Sequence, residues 1–275
     1  MHNQRYPQID RQTIDTYQTD GVVLLKGAFT AWIDGLANGV AELMANPSEY
    51  GHARTVVPKD GSAPFFQDYC NWSRIADFEQ FVRQSPAAEI AAALMQSTTA
   101  KFFHEHTLVK PAGGSTVTPW HHDQPYYCVE GRQNVSFWIP LDPVAQEISL
   151  RCIRGSHLWG EEFSPTRFNG SKLYQHGRFK ELPDIDAHQE QYDIVSWALE
   201  PGDAIAFHYR TLHGARGNAT ARARRVFSAR WVGDDATFVD RGGVTSPPFP
   251  ELTLKEGDAL VSPLFPQVWP REARG

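Results

Sequence analysis

A mainly β fold with flanking α-helices, built as a sandwich or barrel of short strands, is what this chain of 275 residues predicts. Two observations carry that expectation: beyond residue 100 strand-like runs alternate with turn clusters, and helical periodicity is confined to the first third. A third makes a packed core possible, because 41% of the residues are hydrophobic and 8 Trp, 9 Tyr and 16 Phe stand among them. The expected organisation is one domain over 1–275, with a helical third (1–100) on one outer face of a β core (101–235) and a Pro-rich tail (240–275).

Taken in order, apolar residues recur at helical spacing over 9–20 and 30–46, the second run opening on Thr30 as a candidate N-cap and ending before Pro47. Between them Val22-Val23-Leu24-Leu25, bounded by Gly21 and Gly27, suits a strand. Residues 47–72 are rich in Gly, Pro, Asp and aromatics and read as a long loop, a candidate lid. Ser85-Pro86 opens an Ala-rich helix that runs to 99. Strands are expected at 102–110, 119–128, 135–139, 149–153, 204–207 and 225–232. The polar stretch 160–190 reads as an insertion, and both it and the tail are expected at the surface.

Charge and cysteine content exclude whole classes of function. With 26 Lys and Arg against 32 Asp and Glu the formal charge is −6, so no global positive field is available for polyphosphate, and nucleic acid is not an expected partner. Cys70, Cys128 and Cys152, an odd count without C-x-x-C, fit reduced packing thiols in a cytoplasmic protein. No apolar run approaches the length of a membrane span and the first residues are polar, so neither export nor membrane insertion is expected. The sequons at Asn71, Asn134, Asn169 and Asn218 are then chance matches.

The chemistry concentrates in Thr118-Pro119-Trp120-His121-His122-Asp123-Gln124-Pro125-Tyr126-Tyr127. On a strand, His121 and Asp123 project to one face and His122 to the other. Imidazole and carboxylate suit a borderline divalent metal, and two histidines with one carboxylate form the facial triad of non-haem Fe(II) oxygenases. His213 is the candidate third ligand: it follows the Pro201-Gly202-Asp203 turn and the apolar Ala204-Ile205-Ala206-Phe207 run, and precedes Gly214. It stands 90 residues beyond Asp123, so only tertiary structure could unite them. An isolated H-x-D is common by chance, and the ensemble has to carry the argument.

That ensemble is Trp120-His121-His122-Asp123, Val135-Ser136-Phe137-Trp138-Ile139-Pro140-Leu141-Asp142, Arg154-Gly155-Ser156-His157, Pro201-Gly202-Asp203, and His213-Gly214 through Arg224-Arg225. Together these resemble the phytanoyl-CoA dioxygenase family of Fe(II)/2-oxoglutarate-dependent dioxygenases, over about 10–235. The resemblance implies a double-stranded β-helix, the jelly-roll or cupin-like core. It implies His121, Asp123 and His213 as iron ligands, and Arg224 as the cation that pairs with the far carboxylate of 2-oxoglutarate, with Arg225 the adjacent alternative. A guanidinium suits that role because its fork matches a carboxylate bidentately and stays charged when desolvated. Thr118 and Trp138 fall at cosubstrate contacts, and Lys110 is a contact to cosubstrate or substrate, or else a solvated strand end.

The implied reaction hydroxylates an unactivated C–H of a small organic substrate, consuming O2 and 2-oxoglutarate and releasing succinate and CO2, with ascorbate as an in vitro reductant. Three protein donors leave three octahedral positions for cosubstrate and dioxygen. An acid at Asp123, where halogenases of related fold carry a small residue, argues for hydroxylation. Two rival classes use the same residues: a non-catalytic jelly-roll protein that holds metal or a small ligand, and an oxygen-independent metal isomerase or lyase. Neither needs a clamp such as Arg224.

Other patterns are weaker. Neither G-x-S-x-G nor a phosphate-binding glycine loop is present, and Ser156-His157 reads as a rim turn. His104 and His106 have strand spacing without a matching carboxylate and are read as barrel-lining or surface residues. Phe65, Phe66, Tyr69, Tyr126, Tyr127 and Trp159 are candidates for an apolar substrate wall, and Arg151 or Arg154 for receiving an anionic group. Phytanoyl-CoA itself is not the expected substrate, because residues 272–275 are not a peroxisomal address and no basic cluster marks a CoA site.

Overall fold

Asp10 starts the first helix, α1 (Arg11–Asp20), by accepting Thr13 N at 2.7 Å on its side chain. Gly21 ends it with φ 70°, a left-handed conformation that suits glycine, and a Cβ there would meet His157 and Thr211 within 3 Å. The chain then enters β1 (Val22–Leu25). A 3-10 turn at Thr30–Trp32 precedes α2 (Ile33–Ala45), so Thr30 does not cap it; its hydroxyl bonds to Gly27 O instead. The computed structural model describes residues 9–59, 61–166, 171–175 and 179–271, and Asn169 and residues 272–275 lie outside them.

The expected 47–72 loop is partly regular. Ser48 caps a short α3 (Glu49–Arg54), accepting from Tyr50 N and Gly51 N, and β2 (Phe66–Tyr69) follows. The helical third is completed by α4 (Ala76–Gln84) and α5 (Ala87–Met95). Then come β3 (Ala100–Lys110), β4 (Thr118–His121), β5 (Val129–Glu130), β6 (Asn134–Pro140), β7 (Leu150–Ile153), β8 (Ile194–Val195), β9 (Ala204–Phe207), β10 (His213–Ala215), β11 (Arg224–Val232), β12 (Thr237–Phe238) and β13 (Gln267–Trp269).

These strands pair with one another antiparallel throughout. A major sheet runs β1-β9-β6-β11-β3-β13 with β2 also on β3, and a minor sheet runs β4-β10-β7-β8. Alternation along β11 explains how one strand serves two environments. Phe227, Ala229 and Trp231 join the helices in one core, where Phe78 and Phe81 lie 4.6 and 5.4 Å from the Phe227 ring. Each ring buried there contributes about 1.5–3 kcal/mol. Arg224, Ser228 and Arg230, on the other face, line a cavity.

Two surface expectations are corrected. Within 160–190, Phe163 and Ile185 are buried with Trp120 and Leu212, because the insertion closes over the minor sheet. In the tail, Leu260 and Phe265 are buried, β13 pairs with β3, and buried Arg241 donates to the carbonyls of Tyr127 and Gln124. Asn71, Asn134 and Asn218 are buried, which accords with reading their sequons as chance. Cys128 and Cys152 are buried thiols and Cys70 is half-buried. Among the described residues no helix is long and apolar enough to cross a membrane.

Candidate active site

The register of β4 on β10 sets His121 opposite His213, with ring centroids 4.2 Å apart. Asp123 reaches them by a different route from strand alternation. β4 stops at His121, and Asp123 takes helical angles (φ −72°, ψ −34°) at the head of a 3-10 turn that contains Pro125. His122 turns away, its Nε2 accepting Phe163 N at 3.0 Å. Asp123 Oδ1 ends 3.7 Å from His121 Nε2 and 3.8 Å from His213 Nε2. All three donor atoms lie within 4.8 Å of one another, a set able to hold a metal ion.

The neighbours orient each donor. His121 Nδ1 donates to Pro119 O at 2.8 Å and His213 Nδ1 to Thr211 O at 2.9 Å; a carbonyl only accepts, so each proton sits on Nδ1 and each Nε2 lone pair faces the centre. Burial pushes the His213 pKa down to about 3 and lowers that of His121, which keeps both imidazoles neutral. Burial alone would raise the Asp123 carboxyl, but Arg230, the two imidazoles and the Tyr127 hydroxyl outweigh it and hold the group well below the usual carboxylate range. Arg230 Nε and Ser136 Oγ both donate to Oδ2 at 3.3 Å, leaving Oδ1 toward the histidines.

Sequence reasoning missed Arg230. A cation inside an apolar strand reads as an edge residue, yet it stands at even spacing from Arg224, which puts both on the cavity face of β11. Replacing Arg230 by Leu is expected to leave a buried carboxylate unpaired and to destabilise the metal-free protein by about 3–5 kcal/mol, read by urea denaturation.

The cavity that holds the triad measures about 590 Å³. Thr118, Trp138 and Arg224 line it beside the three donors. Arg224 is buried, its guanidinium carbon 5.5 Å from the Trp138 ring; Nη1 donates to Ile148 O while Nε has no partner. Burial pushes its pKa down to about 10, still charged at neutral pH. Arg225 faces outward, its fork bidentate on Asp142 at 3.0 and 2.7 Å. Lys110 is no solvated strand end: it is buried in register with Arg224, donates to Arg216 O at 3.1 Å, and is pushed down to about 6 by burial and then by the Arg224 charge.

Of the expected substrate wall, Phe65, Tyr69, Tyr126 and Tyr127 line the cavity. Phe66 packs into the helical core and Trp159 lies exposed against Tyr192. Arg151 is tied to Asp186 and stacks on Trp120, and Arg154 pairs with Asp20 and Asp193 at the surface, so neither is a cavity residue. His104 and His106 line the cavity, and Ser156-His157 forms a 3-10 turn outside it.

A sequence model described as phytanoyl-CoA dioxygenase (PhyH) matches residues 17–226. A curated relative, a probable phytanoyl-CoA dioxygenase from Caenorhabditis elegans, is 22% identical over 202 residues, spanning 70% of this chain and 59% of that protein. Among solved structures, the non-heme alpha-ketoglutarate-dependent carbocyclase SnoK from nogalamycin biosynthesis is similar with a TM-score of 0.75 at 19% identity, over 95% of this chain and 97% of that one. The epimerase SnoN in complex with Fe3+, alpha-ketoglutarate and nogalamycin RO has a TM-score of 0.73 at 19% identity, over 94% and 97% of the two chains. EctD from S. alaskensis with 2-oxoglutarate and 5-hydroxyectoine has a TM-score of 0.68 at 18% identity, over 91% and 85%. At these identities the structures establish the jelly-roll fold.

Proposed function

The chain belongs to the phytanoyl-CoA dioxygenase family, and from that premise we propose that it is an Fe(II)- and 2-oxoglutarate-dependent oxygenase that hydroxylates a C–H of a small organic substrate. The observation that carries the reading is the donor set: two oriented imidazole nitrogens and one carboxylate oxygen, a set that suits non-haem Fe(II). The 2-oxoglutarate fit rests on the buried Arg224, which lines the same cavity and whose Nε has no hydrogen-bond partner.

In this reading His121, Asp123 and His213 hold the iron. Arg224 receives the far carboxylate of 2-oxoglutarate, with Lys110, Thr118 and Trp138 around it. When bound, iron and 2-oxoglutarate with O2 supply the oxidant that takes hydrogen from substrate carbon, with release of succinate and CO2. Arg230 and Ser136 both donate to Asp123 Oδ2, so that Oδ1 would be the oxygen offered to the iron. One cytoplasmic dioxygenase domain is part of the proposal, supported by three free thiols and by the absence of a membrane-length helix among the described residues.

The test is succinate formation by purified protein with Fe(II), ascorbate, O2 and 2-oxoglutarate across a panel of small organic acids, amines and uncharged hydroxyl- or ketone-bearing compounds. Expected is succinate that requires iron and rises with the true substrate, whose product gains one oxygen atom. No succinate with any compound, and no change in metal binding on adding 2-oxoglutarate, would sink the oxygenase and favour a binding protein. Product isomerised without oxygen would favour the lyase or isomerase class.

A further inference from the structure

The inner face of the major sheet carries polar groups that the reaction above leaves unused. β3 and β11 are in register at His106–Ser228 and His104–Arg230, and all four side chains line the cavity. His104 is 2% exposed, its Nδ1 has no hydrogen-bond partner, and its ring lies edge-on to Tyr127 at 5.0 Å. Ser228 is 1% exposed with an equally unpartnered Oγ. Buried polar atoms without partners cost stability unless something supplies the partner, so two on one cavity wall call for a ligand.

The charge around them limits what that ligand is. Arg230 is bound to Asp123, and Arg224 is committed to the cosubstrate in the reading this inference rests on. Lys59 is exposed, and it is the remaining cation among the described lining residues. Phe65, Leu173 and Pro247 make apolar wall. Burial holds His104 far below the ordinary histidine pKa, so its imidazole is uncharged and offers one donor and one acceptor.

We propose that this face is a substrate subsite for a neutral hydroxyl or ketone oxygen on an otherwise apolar molecule, with His104 and Ser228 as the residues that hydrogen-bond it. A carboxylate or ammonium buried there would be desolvated without an opposite charge to meet it. A pure hydrocarbon would leave both protein groups unsatisfied. The substrate class is thus uncharged and oxygen-bearing, in contrast to an acyl-CoA or a zwitterionic amino acid.

A matched set of probes separates these cases: 2-naphthol, 2-methylnaphthalene and 2-naphthoate, titrated calorimetrically into the protein with Fe(II) and 2-oxoglutarate under argon, and again without them. Expected is binding of 2-naphthol about tenfold or more tighter than either of the others. In His104→Phe that preference over 2-methylnaphthalene should vanish while 2-methylnaphthalene still binds, which shows the cavity intact; Ser228→Ala, a single oxygen removed, should weaken 2-naphthol alone. Equal affinity for naphthol and methylnaphthalene, a preference for naphthoate, or no binding by any probe overturns the subsite. Failure of the wild type to bind 2-oxoglutarate strikes instead at the oxygenase reading, and the probe ranking without cosubstrate still decides the subsite.

Discussion

Replacing His213 by alanine is expected to cut iron-dependent succinate formation by about 1,000-fold or more, since groups that merely orient a ligand are already worth about 10–100-fold in metal affinity. The fold should survive. His213 is buried against Phe207, with ring centroids 4.5 Å apart, and the cavity left by an imidazole costs about 1–3 kcal/mol, within the margin of an ordinary domain. Metal analysis, a succinate assay and circular dichroism on one preparation check all three statements. His121→Ala should behave alike, whereas Asp123→Ala is less clean because it strands the buried Arg230 charge. Full activity in the histidine variants would mean that the chemistry lies elsewhere.

Arg224→Leu should raise the KM for 2-oxoglutarate by roughly 100-fold, equivalent to about 2.7 kcal/mol and within the range for losing one partner of a buried charge pair. Arg224→Lys restores part of it, since an ammonium cannot match the carboxylate fork. Arg225→Leu is the control. Its pair with Asp142 is partly exposed, at 34% and 19% for the two side chains, so its loss costs stability of about 1 kcal/mol or less and leaves the KM within about twofold. A large KM effect at Arg225 with none at Arg224 would reverse the assignment of the neighbouring arginines.

The fold class was legible because its signals are local. Strand runs punctuated by turns and two capped or Pro-bounded helical stretches need no tertiary information, and β6, β7, β9 and β11 fall within a residue or so of their expected spans. What escaped depends on contacts distant in sequence. β13 is three residues between prolines, too short to read as a strand until β3 offers it an edge. The alternation argument puts His121 and Asp123 on one strand face; the chain unites them by leaving the strand, a turn that Tyr209 O anchors through Gln124 N. Arg230 and His104 carry no motif at all. Their importance comes from the face of the barrel on which period two places them.

Lys110, whose backbone pairs with Arg224 in the sheet, would in the proposed site meet the cosubstrate as an uncharged amine. With its pKa pushed down to about 6 in the folded chain, it holds no proton at neutral pH, yet a dianion arriving beside Arg224 would favour the ammonium form. Cosubstrate uptake in the proposed site is then also proton uptake, and above about pH 6 the apparent affinity for 2-oxoglutarate declines as the pH rises. Such an enzyme answers acidification as though its cosubstrate had become more abundant. In the proposed enzyme the buried end of one strand would thereby tie oxygen chemistry to the acid–base state of the surrounding solution.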